Sequence, residues 1–258
     1  MHSLHAVGTL AARLQAAPGL FLLLDYDGTL VPFAPTPDLA EPDDELIRLL
    51  QELATRPLTE VHVVSGRSRE TLERWLGALP IGLHAEHGFT SRAPGASTWS
   101  TGAVPSQDWR PGVLALMRAF AARTPGALVE EKSAGVAWHY RLADPELGAS
   151  QARALTLELA LLLGPASVAI LDGAKVIEVL ARGVHKGRLV PWFVARAPAG
   201  ALLVAVGDDR TDEDLFAALP EGALAVHVGP EPSRATIRLG GVPEVRTLLR
   251  AVVAAPPG

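Results

Sequence analysis

Asp25 and Asp27 close the apolar run Leu20-Phe21-Leu22-Leu23-Leu24 and are followed by Gly28-Thr29-Leu30. Residues two apart on an extended chain point the same way, so both carboxylates address one ligand from one backbone segment, and Gly28 permits a sharp turn beyond them. The pair suits two-step phosphoryl transfer: one carboxylate attacks phosphorus, and the other gives a proton to the leaving oxygen and later takes one from the attacking water. A turn with one aspartate as a helix cap is the plainer use of such residues, but two carboxylates directly after a buried strand serve no structural end.

A second acidic run, Gly207-Asp208-Asp209-Arg210-Thr211-Asp212-Glu213-Asp214, follows another apolar stretch. So many carboxylates at one strand end repel one another unless a cation neutralises them. Hard oxygen ligands without histidine or cysteine favour Mg2+, with phosphate and water completing the shell. Asp25 and Asp208 are therefore expected to share one ion, while Glu213 and Asp214 suit the start of a helix. Two weaker elements complete a phosphate site. Ser65-Gly66-Arg67 offers a hydroxyl, backbone N–H groups and a flexible turn, and Lys186 offers a positive charge; read alone, these are also a turn serine and a surface lysine, and Lys175 is a rival to Lys186.

The elements that must position these residues are legible as apolar runs. Phe21 to Leu24, Val61 to Val64, Leu202 to Val206 and Leu224 to Val228 are short and continuous, which suits a parallel sheet covered by helices on both faces. Leu46, Ile47, Leu49, Leu50 and Leu53 fall at helical spacing between Asp43 and Arg56. Ser68 to Leu76, stopped by Gly77, predicts the next helix; Thr211 to Leu219 predicts another, with Thr211 and Asp214 as its capping pair; Pro243 to Ala254 closes the chain. The middle reads as α+β: a helix over Trp109 to Arg123, strands over Ala127 to Glu131 and Gly135 to Arg141, a helix capped by Asp144 and ended by Gly164-Pro165, and strands over Ser167 to Leu171 and Lys175 to Leu180. The fold class is thus α/β, a doubly wound parallel-sheet core from residues 1–99 and 182–258, with a smaller α+β module inserted at 100–181.

Composition narrows the partners. The 258 residues carry a formal charge of -5 and no cysteine, which excludes disulfides and thiolate chemistry and argues against nucleic acid or acidic lipid as a partner. No apolar run approaches the ~20 residues that span a bilayer. The run ending at Leu24 lacks a cleavage site and leads straight into Asp25, so it reads as a strand rather than a signal peptide. The expectation is a cytoplasmic protein, with a monomer as the simplest state.

The four chemical elements, in this order and each at a strand end or helix start, resemble the four motifs of the haloacid dehalogenase superfamily of phosphatases. That resemblance implies Asp25 as nucleophile, Asp27 as general acid and base, Ser65 and Lys186 as phosphate ligands beside Gly66 and Arg67, and Mg2+ held by Asp25, the Asp27 carbonyl and Asp208. Asp209 stands at the metal one step out, and Asp212 holds a metal-bound water or caps the helix. Asp25 to Leu30, Ala85-Glu86-His87-Gly88, Glu130-Glu131-Lys132-Ser133 with His139-Tyr140-Arg141, Lys175 with Glu178, and Gly207 to Asp214 together look like the trehalose-6-phosphate phosphatases, from about residue 20 to residue 230. The insertion then corresponds to that family's cap. A disaccharide presents many hydroxyls and calls for charged donors and acceptors; Glu131, Lys132 and Glu178 are implied for the sugar, with Arg141 and Lys175 as further candidates. An exposed strand face with cross-strand ion pairs is the competing use of these residues. His87 and His139 read as structural, and Trp75, Trp99 and Trp138 as packing residues. No synthase-like domain is visible, so a stand-alone phosphatase is expected. Another sugar-phosphate phosphatase (sucrose-phosphate phosphatase-like), a phosphomutase, or a catalytically silent sugar-phosphate sensor are the alternatives.

Overall fold

The computed structural model describes residues 2–103, 106–164 and 168–254. The chain divides into two units, one of residues 1–33, 40–100 and 185–258, the other of 34–39 and 101–184. The first begins with α1 (His2–Gln15), β1 (Leu20–Leu24), α2 (Asp44–Thr55), β2 (Thr59–Val64), α3 (Arg69–Leu76), β3 (Gly82–Ala85), β4 (Thr90–Arg92) and β5 (Ser100–Thr101). The second holds α4 (Arg110–Ala122), β6 (Leu128–Glu131), β7 (Gly135–His139), α5 (Pro145–Leu163), β8 (Val168–Gly173) and β9 (Val176–Ala181). The chain then returns through α6 (Val190–Arg196), β10 (Leu202–Gly207), α7 (Arg210–Ala218), β11 (Leu224–Val228), β12 (Ile237–Leu239) and α8 (Val242–Ala254).

In the first unit the strand order is β12-β11-β10-β1-β2-β3-β4-β5. The ladders from β12 to β3 are parallel, and β4 turns back antiparallel on β3. Every residue of β1 is buried, as a central strand covered on both faces requires. Register sets the site: Leu24 is level with Val206 on one side and Val63 on the other, so the residues that follow these strands emerge at one edge of the sheet.

The second unit is an antiparallel sheet in the order β6-β7-β9-β8. Its helix-covered face is apolar, with Val136, Trp138, Ile177 and Val179 packed on Val113, Met117 and Phe120 of α4 and Leu155 and Leu159 of α5. Strand alternation sends Glu130, Ala137, His139 and Glu178 to the other face. Asp144 caps α5 by accepting from the Glu146 and Leu147 amides, with Pro145 in its first turn and Gly164 at its end.

Several expectations are corrected. The strand expected over Gly135 to Arg141 stops at His139. That expected from Lys175 begins at Val176, because Lys175 takes a left-handed turn conformation, φ 63°. Ser167 and Pro165 lie outside the described residues. The helix expected from Thr211 starts at Arg210, and its cap is Asp209 paired reciprocally with Asp212, not Thr211 with Asp214. Helix α1 was absent from the sequence reading, although Val7, Leu10, Ala11 and Leu14, all buried, carry helical spacing. Among the described residues no helix is long and apolar enough to cross a membrane.

Candidate active site

Asp25 follows β1 directly, its amide donating to the Val206 carbonyl at 2.9 Å, so its side chain is fixed where β1 and β10 end. Lys186, 1% exposed, reaches both Asp25 Oδ1 at 2.6 Å and Asp212 Oδ1 at 2.8 Å. Asp212, itself fully buried, accepts the Asp208 and Asp209 amides at 3.2 Å through its other oxygen. Thr29 donates to Asp208 Oδ1 at 3.1 Å, tying the β1 loop to the β10 loop. Gly28 is obligatory here for two reasons: its φ is 79°, and a Cβ would stand 2.2 Å from Asp208 Oδ2.

The charges are unbalanced. Burial raises the pKa of Asp25 against the pull of Lys186, and burial together with the neighbouring carboxylates pushes Asp208 up to about 10. Burial also raises Asp212 well above the usual carboxylate range. Burial works against the Lys186 ammonium, but Asp212, Asp25 and Asp209 outweigh it and hold its pKa well above the ordinary lysine value. One lysine does not neutralise this cluster, and a divalent cation would.

Ligand oxygens of Asp25, Asp208 and Asp212 lie within 4.8 Å of one another. Oxygens on one Mg2+ stand about 2.9 Å apart when adjacent and about 4.2 Å when opposite at ordinary bond lengths, so this all-oxygen set is one that a hard divalent ion could draw together. Asp209 does not join it. Its Oδ1 accepts from the Thr211 amide at 2.8 Å, the Thr211 hydroxyl at 2.7 Å and the Asp212 amide at 3.3 Å, which makes it the cap of α7. These bonds and Lys186 hold its pKa low despite burial. Asp212, expected at a metal-bound water or as the helix cap, stands with Asp25 and Asp208, and Asp209, expected one step out, is the cap.

Arg67 has a further partner: its guanidinium clamps the Asp27 carboxylate, Nε to Oδ2 at 2.7 Å and Nη2 to Oδ1 at 2.5 Å, and lies over the Trp75 ring. The proposed acid and base is thus turned toward Arg67, and its side chain is not in the carboxylate cluster. Ser65 is buried at the end of β2, its hydroxyl accepting the Arg67 amide at 3.2 Å. His87 donates its amide to the Ser65 carbonyl, and Gly66 leaves room for the His87 ring, which a Cβ would meet at 2.9 Å. Glu86, His87 and Gly88 all take positive φ, a left-handed turn that packs buried polar residues beside Ser65.

The polar face of the second unit has its own geometry. Lys132 donates to Glu178 at 2.5 Å with both side chains buried. Glu130, in register with Ala137 and through it with Glu178, shares this face. Glu131 does not: it has the parity of Val129, points to the helix side, and pairs with Arg118 at 2.5 Å and Arg110 at 3.8 Å. Glu130, rather than the expected Glu131, is therefore the glutamate that shares the face of Lys132 and Glu178. Lys175 lies over the Tyr140 ring on the helix side, and Arg141 donates to the Ala174 carbonyl at 2.6 Å. Neither joins the Lys132–Glu178 pair. Trp138 is core, as read.

Comparison with known proteins gives the family. Residues 23–239 match the family described as trehalose-phosphatase. The bifunctional trehalose-6-phosphate synthase/phosphatase of Thermoproteus tenax is 43% identical over 244 residues, covering 95% of this chain and 33% of that protein. The trehalose-phosphatase of Schizosaccharomyces pombe is 35% identical over 232 residues, covering 84% of this chain and 28% of that protein. The chain thus spans about a third of the length of the curated relatives it matches. Among solved structures, the C-terminal domain of the trehalose-6-phosphate phosphatase of C. albicans superposes with a TM-score of 0.90 at 30% identity, covering 97% of both chains.

Proposed function

Because the chain belongs to the trehalose-phosphatase family, we propose that it hydrolyses trehalose 6-phosphate to trehalose and phosphate through a phosphoryl group carried on Asp25. The observation that carries this reading is the junction of Asp25, Asp208 and Asp212 around Lys186 at the end of the central strands. Asp25 attacks phosphorus, the bond to the sugar oxygen breaks, and Asp27 gives that oxygen a proton after exchanging its bonds with Arg67. Asp27 then takes a proton from water as the water attacks phosphorus, and the bond to Asp25 breaks. Lys186 and Ser65 hold phosphate oxygens in both steps. Asp25, Asp208 and Asp212 would hold Mg2+, which supplies positive charge so that a carboxylate and a phosphate dianion can approach. In the second unit, Glu130, Lys132 and Glu178 take hydroxyls of the sugar.

The test is a substrate panel with Mg2+. Trehalose 6-phosphate should release phosphate far faster than glucose 6-phosphate or sucrose phosphate; equal rates on all three would sink the specific reading, and isomerised sugar phosphate without free phosphate would indicate a mutase. EDTA should abolish turnover and added Mg2+ restore it. Activity that survives chelation would contradict the shared ion.

A further inference from the structure

Sugar recognition in the second unit rests on more than its charged trio. His139 ends β7 and stands diagonally across from Glu130, since Leu128 is its direct partner and Ala137 is that of Glu130. Diagonal neighbours on one face are within reach of long side chains, and here His139 Nε2 meets Glu130 Oε2 at 2.8 Å. Both side chains are partly exposed, at 20% and 27%. Burial works to raise the pKa of Glu130, but the hydrogen bond from His139 and the charge of Lys132 outweigh it and hold the glutamate ionised.

The alternation of the strand explains why such a partner is needed. Glu130, Lys132 and Glu178 share one face, and the direct neighbour of both glutamates is the small side chain of Ala137. Lys132 already donates to Glu178. Lys132 acts on Glu130 through its charge, and His139 adds a directed bond to one carboxylate oxygen; a glutamate held in this way loses less rotamer freedom when it accepts a hydroxyl. We propose that His139 is a positioning residue for sugar binding: it donates Nε2–H to Glu130 Oε2 and so presents Oε1 to a hydroxyl of the ligand. This deepens the reading given above and rests on it.

The experiment is a double-mutant cycle of His139→Ala and Glu130→Ala, read with two substrates. Trehalose 6-phosphate reports sugar binding; p-nitrophenyl phosphate has no sugar hydroxyls and reports the chemistry alone. His139→Ala should raise KM for the sugar phosphate about tenfold, the scale of one hydrogen bond to a charged group, with kcat nearly unchanged. Aryl phosphate turnover should stay at the wild-type level, and His139→Gln, which keeps a donor, should recover most of the loss. In the Glu130→Ala background the histidine substitution should add almost nothing, because coupled residues are not additive. An equal loss on both substrates, which is what a merely structural or poorly folded variant gives, would overturn the proposal. So would full additivity, or an unchanged KM. If the wild-type panel shows another sugar phosphate to be preferred, it is the substrate reading that fails; the same cycle run on that ester then decides the role of His139.

Discussion

Each unit sets carboxylates against a buried lysine, by different rules. In the first, Lys186 meets Asp25 and Asp212, groups brought from segments far apart in sequence because parallel strands end at one edge. In the second, Lys132 meets Glu178 and lies on the face of Glu130 because alternate residues of neighbouring strands share a side. Place along the chain decides the first cluster, and parity decides the second. A one-residue misreading of a strand end leaves the first in place but moves a side chain to the opposite face in the second.

Substitutions sharpen that contrast, and the largest effect belongs to the strand ends. Asp25→Asn should lower kcat by at least about 10⁴-fold, the scale of losing a nucleophile, while substrate still binds. Retained activity would break the distinction between a chemical and a recognition cluster. Lys186→Met should follow: it breaks the buried pairing of the ammonium with Asp25 and Asp212, which costs about 3–5 kcal/mol of stability, readable by urea titration with EDTA present. An unchanged midpoint would mean that this pairing carries no weight in the fold.

The parity rule has a narrower test. Glu130→Gln should raise KM for trehalose 6-phosphate about tenfold, as removal of one charged hydrogen-bond partner does, whereas Glu131→Gln should leave KM unchanged and only loosen Arg118 and Arg110. The reverse ranking would show that strand alternation does not choose the sugar-facing residues.

The smallest effect separates the units by acid. His62 and His84 are buried in the first unit, 3.0 Å apart between ring nitrogens and packed on Phe21, Trp192 and Phe193. Burial lowers both pKa values from the ordinary 6.5, that of His84 well below it, although Glu60 beside His62 pulls the other way. The unfolded chain therefore binds more protons just below that pH. Their contribution is complete above 6.5 and is lost as pH falls toward the folded values. The raised pKa of Asp25, Asp208 and Asp212 acts in the opposite sense, so the readout is a difference between two proteins. Relative to His84→Leu, the wild type should lose thermal midpoint between pH 7 and pH 5.5 by roughly a few degrees. Parallel pH profiles would contradict buried neutral imidazoles.

The catalytic strands and their loops were legible because continuous apolar runs and clustered carboxylates are strong local signals. Asp25, Asp27, Ser65 and Asp208 each stand where a buried run stops, and Lys186 opens the helical turn Lys186–Leu189. The cap of α7 was misassigned because the run from Asp208 to Asp214 offers several acidic residues, and only backbone geometry shows Asp209 accepting amides while Asp212 joins Lys186. The clamp of Arg67 on Asp27 joins loops 40 residues apart, and nothing in the local sequence announces it. Glu130 was within reach: with Val129 on the apolar side, counting by two from Lys132 selects it over Glu131. Helix α1 carries its periodic signal in Val7, Leu10, Ala11 and Leu14 as well.

The covalent step is the point on which the rest depends, and acid quenching within the first turnover addresses it directly. Peptide mapping of wild-type enzyme stopped on trehalose 6-phosphate should find one added phosphoryl group on the peptide that holds Asp25, and none in Asp25→Asn. Phosphate released with no modified peptide at any time point, or a phosphoryl group on a different residue, would contradict the account.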